Sequence, residues 1–153
     1  MRLPDDRSAL LSFIDGSQRF EHAFEPDRRL DETVAEEFFA ELIALVASRK
    51  GVVFVAELEG AAAGWAVAYP DDNDIYVVPE ERTFAYISEL YVAEHVRGIG
   101  IGRALIAACE NWARGRNLRV MMIGVLPGNA RAHAIYRRAG YSTYALRLRK
   151  YLR

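Results

Sequence analysis

Cysteine is almost missing from this sequence: Cys109 stands alone, so no intramolecular disulfide can form and a cysteine-rich zinc site is excluded. His22, His95 and His133 are scattered without metal-ligand spacing, and no metal is expected. An excess of one charge is missing too. The 20 Lys and Arg against 21 Asp and Glu leave a formal net charge of −1 over 153 residues. No global field therefore draws the chain toward nucleic acid or an anionic membrane. No apolar run approaches the ~18 residues that a membrane-spanning helix needs. The opening Met1-Arg2-Leu3-Pro4-Asp5-Asp6 turns acidic within a few residues, unlike a secretory signal. The expectation is a cytoplasmic protein with neither nucleic-acid nor membrane partners. Linkers, repeats and low-complexity tracts are also lacking, so residues 1–153 are expected to form a single domain.

What is present is ordinary globular material, 52% hydrophobic and 27% charged. A chain of this length can bury about 68–70% of its unfolded surface. Leu10, Leu11, Ile14 and Phe20 give a first, loose helical stripe. Val34, Phe38, Leu42, Leu45 and Val46 give a clearer second one. Thr33 with Glu36 has capping-box spacing at its start, and Gly51 is placed to close its end. The period then changes. Val52 to Leu58 and Ala61 to Tyr69 read as strands joined by a Glu59-Gly60 turn, and Pro70 to Asp74 reads as a loop. A further strand is expected over Phe84 to Val92, with Glu89 on the face of Ile87 and Tyr91. After it, a helix runs to about Gly115, with Leu105, Cys109 and Trp112 inward and Glu110–Arg114 as an exposed i,i+4 pair. Arg119 to Val125 reads as an apolar strand. Asn129 stands at a helix N-cap and Gly140 at that helix's C-cap, with Ala132, Ile135, Tyr136 and Ala139 on one face. Finally Tyr144, Leu146 and Leu148 alternate with Ala145, Arg147 and Arg149, the pattern of a strand with one wet face. The order predicts an α/β (α+β) domain around a mixed sheet.

The chemistry lies in the turn Arg97-Gly98-Ile99-Gly100-Ile101-Gly102, which leads from a strand into a helix. Its glycines leave little bulk, so backbone N–H groups can crowd a ligand. The helix start adds unpaired donors and the positive end of the dipole, and Arg97 and Arg103 add fixed charge. Together these suit a phosphate or pyrophosphate. The spacing is wrong for a dinucleotide fingerprint, which needs glycine where Arg103 stands, and no P-loop lysine motif exists in the chain. On its own, such a turn is also compatible with a purely structural role.

The Arg-x-x-Gly-x-Gly spacing of Arg97, Gly100 and Gly102 resembles the pyrophosphate motif of the GCN5-related N-acetyltransferase (GNAT) superfamily. The surroundings match in order. Ser88-Glu89-Leu90-Tyr91-Val92 stands where that family has a strand splayed by a β-bulge, and Asn129, Tyr136 and Gly140-Tyr141 stand where it has an Asn-started helix holding a tyrosine. The likeness is specific from about Val52 onward. It implies a mixed, mostly antiparallel twisted sheet flanked by about four helices, and acetyl-CoA as co-substrate. Leu90, Tyr91 and Val92 would hold the pantetheine arm. The turn from Arg97 through Gly98, Ile99, Gly100, Ile101 and Gly102 to Arg103 would hold the pyrophosphate, and Asn129 would touch the arm.

Acetyl transfer to an amine requires loss of the amine's proton, stabilisation of the carbonyl oxygen and protonation of the departing thiolate. The resemblance assigns the last role to Tyr136, whose alternative is a core position beside Ile135 and Ala139. Glu89 is the base candidate, with a solvated or ion-paired carboxylate as the alternative. Cys109 reads as buried rather than nucleophilic. The acceptor is left as a small-molecule or peptide amine. The acidic loop of Asp71, Asp72, Asp74, Glu80 and Glu81 is either an attraction for a cation or a solvated surface. Two other classes are carried alongside: a non-catalytic acyl-CoA-binding module on the same fold, and a nucleotide-binding protein. A homodimer through exposed strand edges is a further expectation of the likeness.

Overall fold

The computed structural model describes residues 6–152, beginning with two helices, α1 (Arg7–His22) and α2 (Val34–Ser48). α1 buries Leu10, Phe13 and Ile14, and α2 buries Val34, Phe39, Leu42 and Val46, the i, i+3, i+4 spacing of amphipathic helices. The expected capping box at Thr33 does not form. Thr33 has helical dihedrals, and its hydroxyl lies 2.6 Å from Glu37 Oε1 and 2.9 Å from Asp31 Oδ1, in a cluster that Arg29 completes. The end of α2 also differs in detail. Lys50, at φ 53°, is the left-handed residue. Its N–H reaches Ala47 O at 3.2 Å while that of Gly51 reaches Val46 O at 2.7 Å, a Schellman pattern. Gly51 is needed for space, since a Cβ there would stand 2.6 Å from Ala68 O.

The expected hairpin is present as β1 (Val52–Leu58) and β2 (Ala61–Asp72). Glu59 and Gly60, both at positive φ, form its two-residue turn. β2 continues through Pro70 to Asp72 instead of ending at Tyr69. Pro70 pairs with Ala85 on β3 (Thr83–Val92) and lies past the last β1 partner, Ala68, where the missing N–H breaks no ladder. A short helix, α3 (Pro79–Arg82), precedes β3, and a 3-10 turn at Glu94–Val96 follows it. Then come α4 (Ile101–Gly115), β4 (Met121–Ile123) and α5 (Ala130–Arg138).

The sheet order is β1-β2-β3-β4, antiparallel except for the parallel β3–β4 pair. β2 is buried on both faces. Trp65, Val67 and Tyr69 meet α1 and α2, while Ala66 and Ala68 meet Leu105 and Cys109 of α4. Small alanines on one side and large residues on the other set α4 close to the sheet and α1–α2 farther from it. On α4, Trp112 is only half-buried, its ring lying under the Arg116 guanidinium at 5.0 Å. Ile106 and Ala113 complete the inward stripe instead. The Glu110–Arg114 pair is present at 3.1 Å.

Two strand expectations fail on the far side. The strand expected over Arg119 to Val125 shrinks to Met121–Ile123, and Tyr144 to Leu148 forms no ladder at all. The outer edge of β4 has no partner among the described residues. Arg149 meanwhile ties the last segment to Glu25 and Asp27.

Candidate active site

β3 and β4 run side by side for only three residue pairs, Ala85–Met121 to Ile87–Ile123, and then part. Beyond that point Glu89 to Val92 are paired to β2 alone, so the other edge of the strand offers free backbone groups. The parting coincides with a bulge. Val67 faces Glu89 and Ala68 faces Ile87, leaving Ser88 as the extra residue. The bulge also overturns one expectation. Strict alternation would put Glu89 with Ile87, but the inserted residue resets the period. Ile87 packs toward α4, while Glu89 lies opposite Val67 on the α1–α2 face with Tyr91. Leu90 and Val92 then point to the α4 layer, and Tyr91 stacks on Phe13 with ring centroids 5.5 Å apart.

The glycine turn follows at once. Gly98 and Gly100 sit at φ 92° and 101°, a region closed to most side chains, and the space where each Cβ would stand is empty to 4 Å. No side chain caps α4, so the N–H groups of Ile101, Gly102 and Arg103 stay available at the positive end of the dipole. Arg103 is exposed beside them. Arg97 is spent elsewhere. Its Nε donates to Val92 O at 2.9 Å, and its guanidinium lies 5.5 Å from the Phe20 ring and 5.4 Å from that of Tyr91. It therefore binds the end of β3 to α1. An open cavity of about 540 Å³ adjoins the turn, lined by Leu58, Ile99, Gly100, Ile101 and Arg103 among others. A glycine cradle, an uncapped helix start and a free strand edge in sequence fit the pyrophosphate and amide-bearing arm of a coenzyme A thioester.

Around Glu89, carboxylates and phenols act on one another electrostatically. Burial, and then the charge of Glu21, push Glu89 up to about 8. Burial pushes Tyr136 up to about 12, helped by the charges of Glu21 and Glu89 and by Tyr86. Burial raises Tyr86 as well, with Glu89 the next cause. Glu89, Tyr136, Tyr86 and Glu21 thus share one electrostatic neighbourhood. Glu21 comes from the last turn of α1 and is anchored by Arg28 Nε at 2.8 Å. Asn129 caps α5 as expected, its Oδ1 accepting from Ala132 N at 3.0 Å. Cys109 is buried and pushed up to about 12, which leaves it a thiol at neutral pH. Glu21 and Tyr86 were not foreseen. Glu21 is remote in sequence from every motif, and Tyr86 reads only as one aromatic in an apolar strand. His95 and His133 are exposed, and no cluster of three metal-ligating side chains exists among the described residues. No helix among them is long and apolar enough to cross a membrane.

Residues 17–141 match the Acetyltransferase (GNAT) family. Over 92 residues, 60% of this chain, the sequence is 33% identical to an uncharacterized N-acetyltransferase of Archaeoglobus fulgidus, and the match spans 60% of that protein's length. Over 110 residues, 70% of each chain, it is 29% identical to the aminoglycoside N(6')-acetyltransferase type 1 of Stenotrophomonas maltophilia. The fold is shared with the crystal structure of a predicted acetyltransferase from Clostridium acetobutylicum with acetyl-CoA. The TM-score is 0.73 at 20% identity, covering 96% of this chain and 90% of that one. The family match takes in the end of α1, the bulged strand, the glycine turn and the Asn-capped helix, the same elements that build the cleft, and the chain belongs to the GNAT acetyltransferase family.

Proposed function

We propose that this protein is an acetyl-CoA-dependent N-acetyltransferase that passes the acetyl group directly to a primary amine. The observation that carries the reading is the parting of β3 from β4: its free strand edge runs straight into an uncapped glycine turn, with Glu89 on the bulged strand close enough for its charge to act on Tyr136. Bound acetyl-CoA supplies the acetyl group as a thioester, an electrophile that an unprotonated amine can attack.

The backbone from Leu90 to Val92 holds the pantetheine arm by strand-like hydrogen bonds, and one of its N–H groups polarises the carbonyl. The N–H groups from Gly98 to Arg103, with the Arg103 guanidinium, hold the pyrophosphate. Asn129 keeps its side-chain N–H₂ free for the arm while its oxygen caps α5. Glu89, held near 8, takes the proton of the incoming ammonium directly or through water, a match of base to operating pH. The amine nitrogen then bonds to the carbonyl carbon as the carbon–sulfur bond breaks. Tyr136 donates its hydroxyl hydrogen to the departing sulfur. At about 12 its phenol is a weaker acid than a thiol near 8.5, so the hydrogen bond to developing charge contributes more than complete transfer.

The charge of Glu21 near Glu89 favours a cationic small molecule as acceptor, and the similarity to an aminoglycoside N(6')-acetyltransferase supports a polyamine-like or aminosugar class. The test is an initial-rate assay over a panel of amines, run beside thermal shifts with acetyl-CoA, CoA, ATP and NAD. Acetyl-CoA at 100 times its dissociation constant should add about 2.7 kcal/mol of stability. Transfer to a cationic amine is the expected result. Stabilisation without transfer to any amine would favour the non-catalytic acyl-CoA-binding module, and no CoA-dependent shift would overturn the reading.

A further inference from the structure

The end of α1 touches the chain beyond β3 at one point and the chain beyond β4 at another. On the first side the Arg97 guanidinium lies 5.5 Å from the Phe20 ring, and Arg97 Nε donates to Val92 O at the end of β3. On the second side Phe24 rests on Gly128, the residue before the Asn129 cap of α5. A Cβ at Gly128 would stand 2.6 Å from Phe24 Cδ1, 3.1 Å from its Cγ and 3.2 Å from its Cβ, so the ring fills the place of a side chain. Gly128 is not among the glycines at positive φ. What calls for glycine there is room for Phe24. The Phe20 and Phe24 rings meet edge to face, with centroids 5.2 Å apart. One aromatic link thus joins the end of β3 to the start of α5.

Glu21 belongs to the same turn. Its carbonyl accepts the Phe24 N–H at 2.9 Å. Residues three apart on a helical turn are neighbours on one face, and Glu21 and Phe24 are both half-buried while Ala23 is exposed. Seating Phe24 therefore fixes the backbone that carries Glu21. Arg28 steadies the carboxylate, its Nε 2.8 Å from Glu21 Oε2, and His22 Nδ1 lies 2.9 Å from Arg28 O. The Glu21 charge acts on Glu89, Tyr86 and Tyr136. Tyr86 from its own strand and Tyr136 from α5 are the other titratable groups coupled to Glu89, and Arg147 and Asp71 act on Tyr86 in turn.

We propose that Phe24 is a positioning residue for the acceptor: seated on Gly128, it holds the turn of Glu21 in place, and the Glu21 carboxylate receives the cation of the acceptor. The proposal rests on the N-acetyltransferase reading for its acceptor. The link from Gly128 through Phe24 to Glu21 rests on the contacts alone.

The experiment compares Glu21→Gln, Phe24→Leu and Gly128→Ala in the full chain. It reads the titration of Glu89 by carboxyl NMR, with Glu89→Gln to assign the signal, and the KM of a cationic amine beside that of acetyl-CoA. Glu21→Gln removes the charge, and the other two displace it. Burial and then the Glu21 charge hold Glu89 up, so all three should let it ionise at lower pH. Each should raise the amine KM about ten-fold. The acetyl-CoA KM and thermal shift should remain, showing that the variants are folded. Added to Glu21→Gln, Gly128→Ala should change neither reading further, because it acts through Glu21. If Gly128→Ala fails to fold, Phe24→Leu decides. An unchanged Glu89 titration in Phe24→Leu and Gly128→Ala overturns the proposal, whether or not Glu21→Gln moves it. So do additive effects in the double variant, or equal rises in both KM values, which mark a general structural loss. A wild-type chain that acetylates no amine would sink the enzymatic reading and the acceptor's place with it. The Glu89 titration would still decide whether Phe24 sets the position of Glu21.

Discussion

β3 has two flanks that are built to opposite rules. Toward β2 it is paired along its whole length, from Asp72–Thr83 to Gly64–Val92, and the neighbour is buried throughout from Ala63 to Tyr69. Toward β4 it is paired at three positions and then left bare. The closed flank supplies stability, and the open one supplies unpaired backbone, a glycine cradle and two titratable side chains. The bulge at Ser88 links them. It is the point where pairing to β4 ends, and it rotates Glu89 to the face where Tyr86 and Glu21 lie. A cleft that must hold an extended cofactor arm is therefore made by withholding a strand pair, not by adding a pocket.

The sharpest way to break this comparison is on the open flank. Tyr136→Phe should lower kcat by about 10²-fold while leaving the acetyl-CoA thermal shift nearly unchanged, read by steady-state kinetics beside melting curves. Unchanged turnover would remove Tyr136 from the chemistry. On the closed flank, Gly64→Ala drives a Cβ to 2.6 Å from Tyr91 O. It should cost about 1–3 kcal/mol in urea unfolding, because backbone on both strands must move. The matching change on the open flank, Gly124→Ala, meets only the Tyr86 hydroxyl at 3.2 Å, so a shift of a few tenths of an ångström at one side-chain tip accommodates it. Its cost should stay within about 0.5 kcal/mol. Equal costs for the two glycines would mean that the flanks are not built differently.

Glu89 gives the comparison a pH axis. Its folded value, near 8, lies above the ordinary 4.5, so the unfolded chain loses this proton first as pH rises. Its contribution to stability is complete below about 4.5 and is lost as pH climbs toward 8. Glu89→Gln should flatten that slope in pH-dependent unfolding. It should also remove the rise of kcat/KM through pH 8 that ionisation of the base produces. A wild-type profile flat across this window would detach Glu89 from proton transfer.

Much of this was readable from the sequence where the signal is local. The Glu59-Gly60 hairpin turn, the Asn129 cap, the Glu110–Arg114 pair and the glycines at 98 and 100 each rest on neighbours a few residues away. What escaped depends on pairing between distant strands. Which face Glu89 occupies follows from the register against Val67, and no window around Glu89 contains it. Arg97 carries its charge in any reading of the motif, but Phe20 and the Val92 carbonyl decide where its guanidinium goes. The alternation of Tyr144 to Leu148 was legible as a strand, and no partner for it exists among the described residues.

The central claim is that the bare edge of β3 and the glycine turn hold acetyl-CoA. Hydrogen exchange with and without acetyl-CoA tests it most directly. The account predicts that amides from Leu90 to Val92 and from Gly98 to Arg103 become protected together, while the hairpin of β1 and β2 is unaffected. Protection confined to other segments, or none at saturating acetyl-CoA, would contradict it.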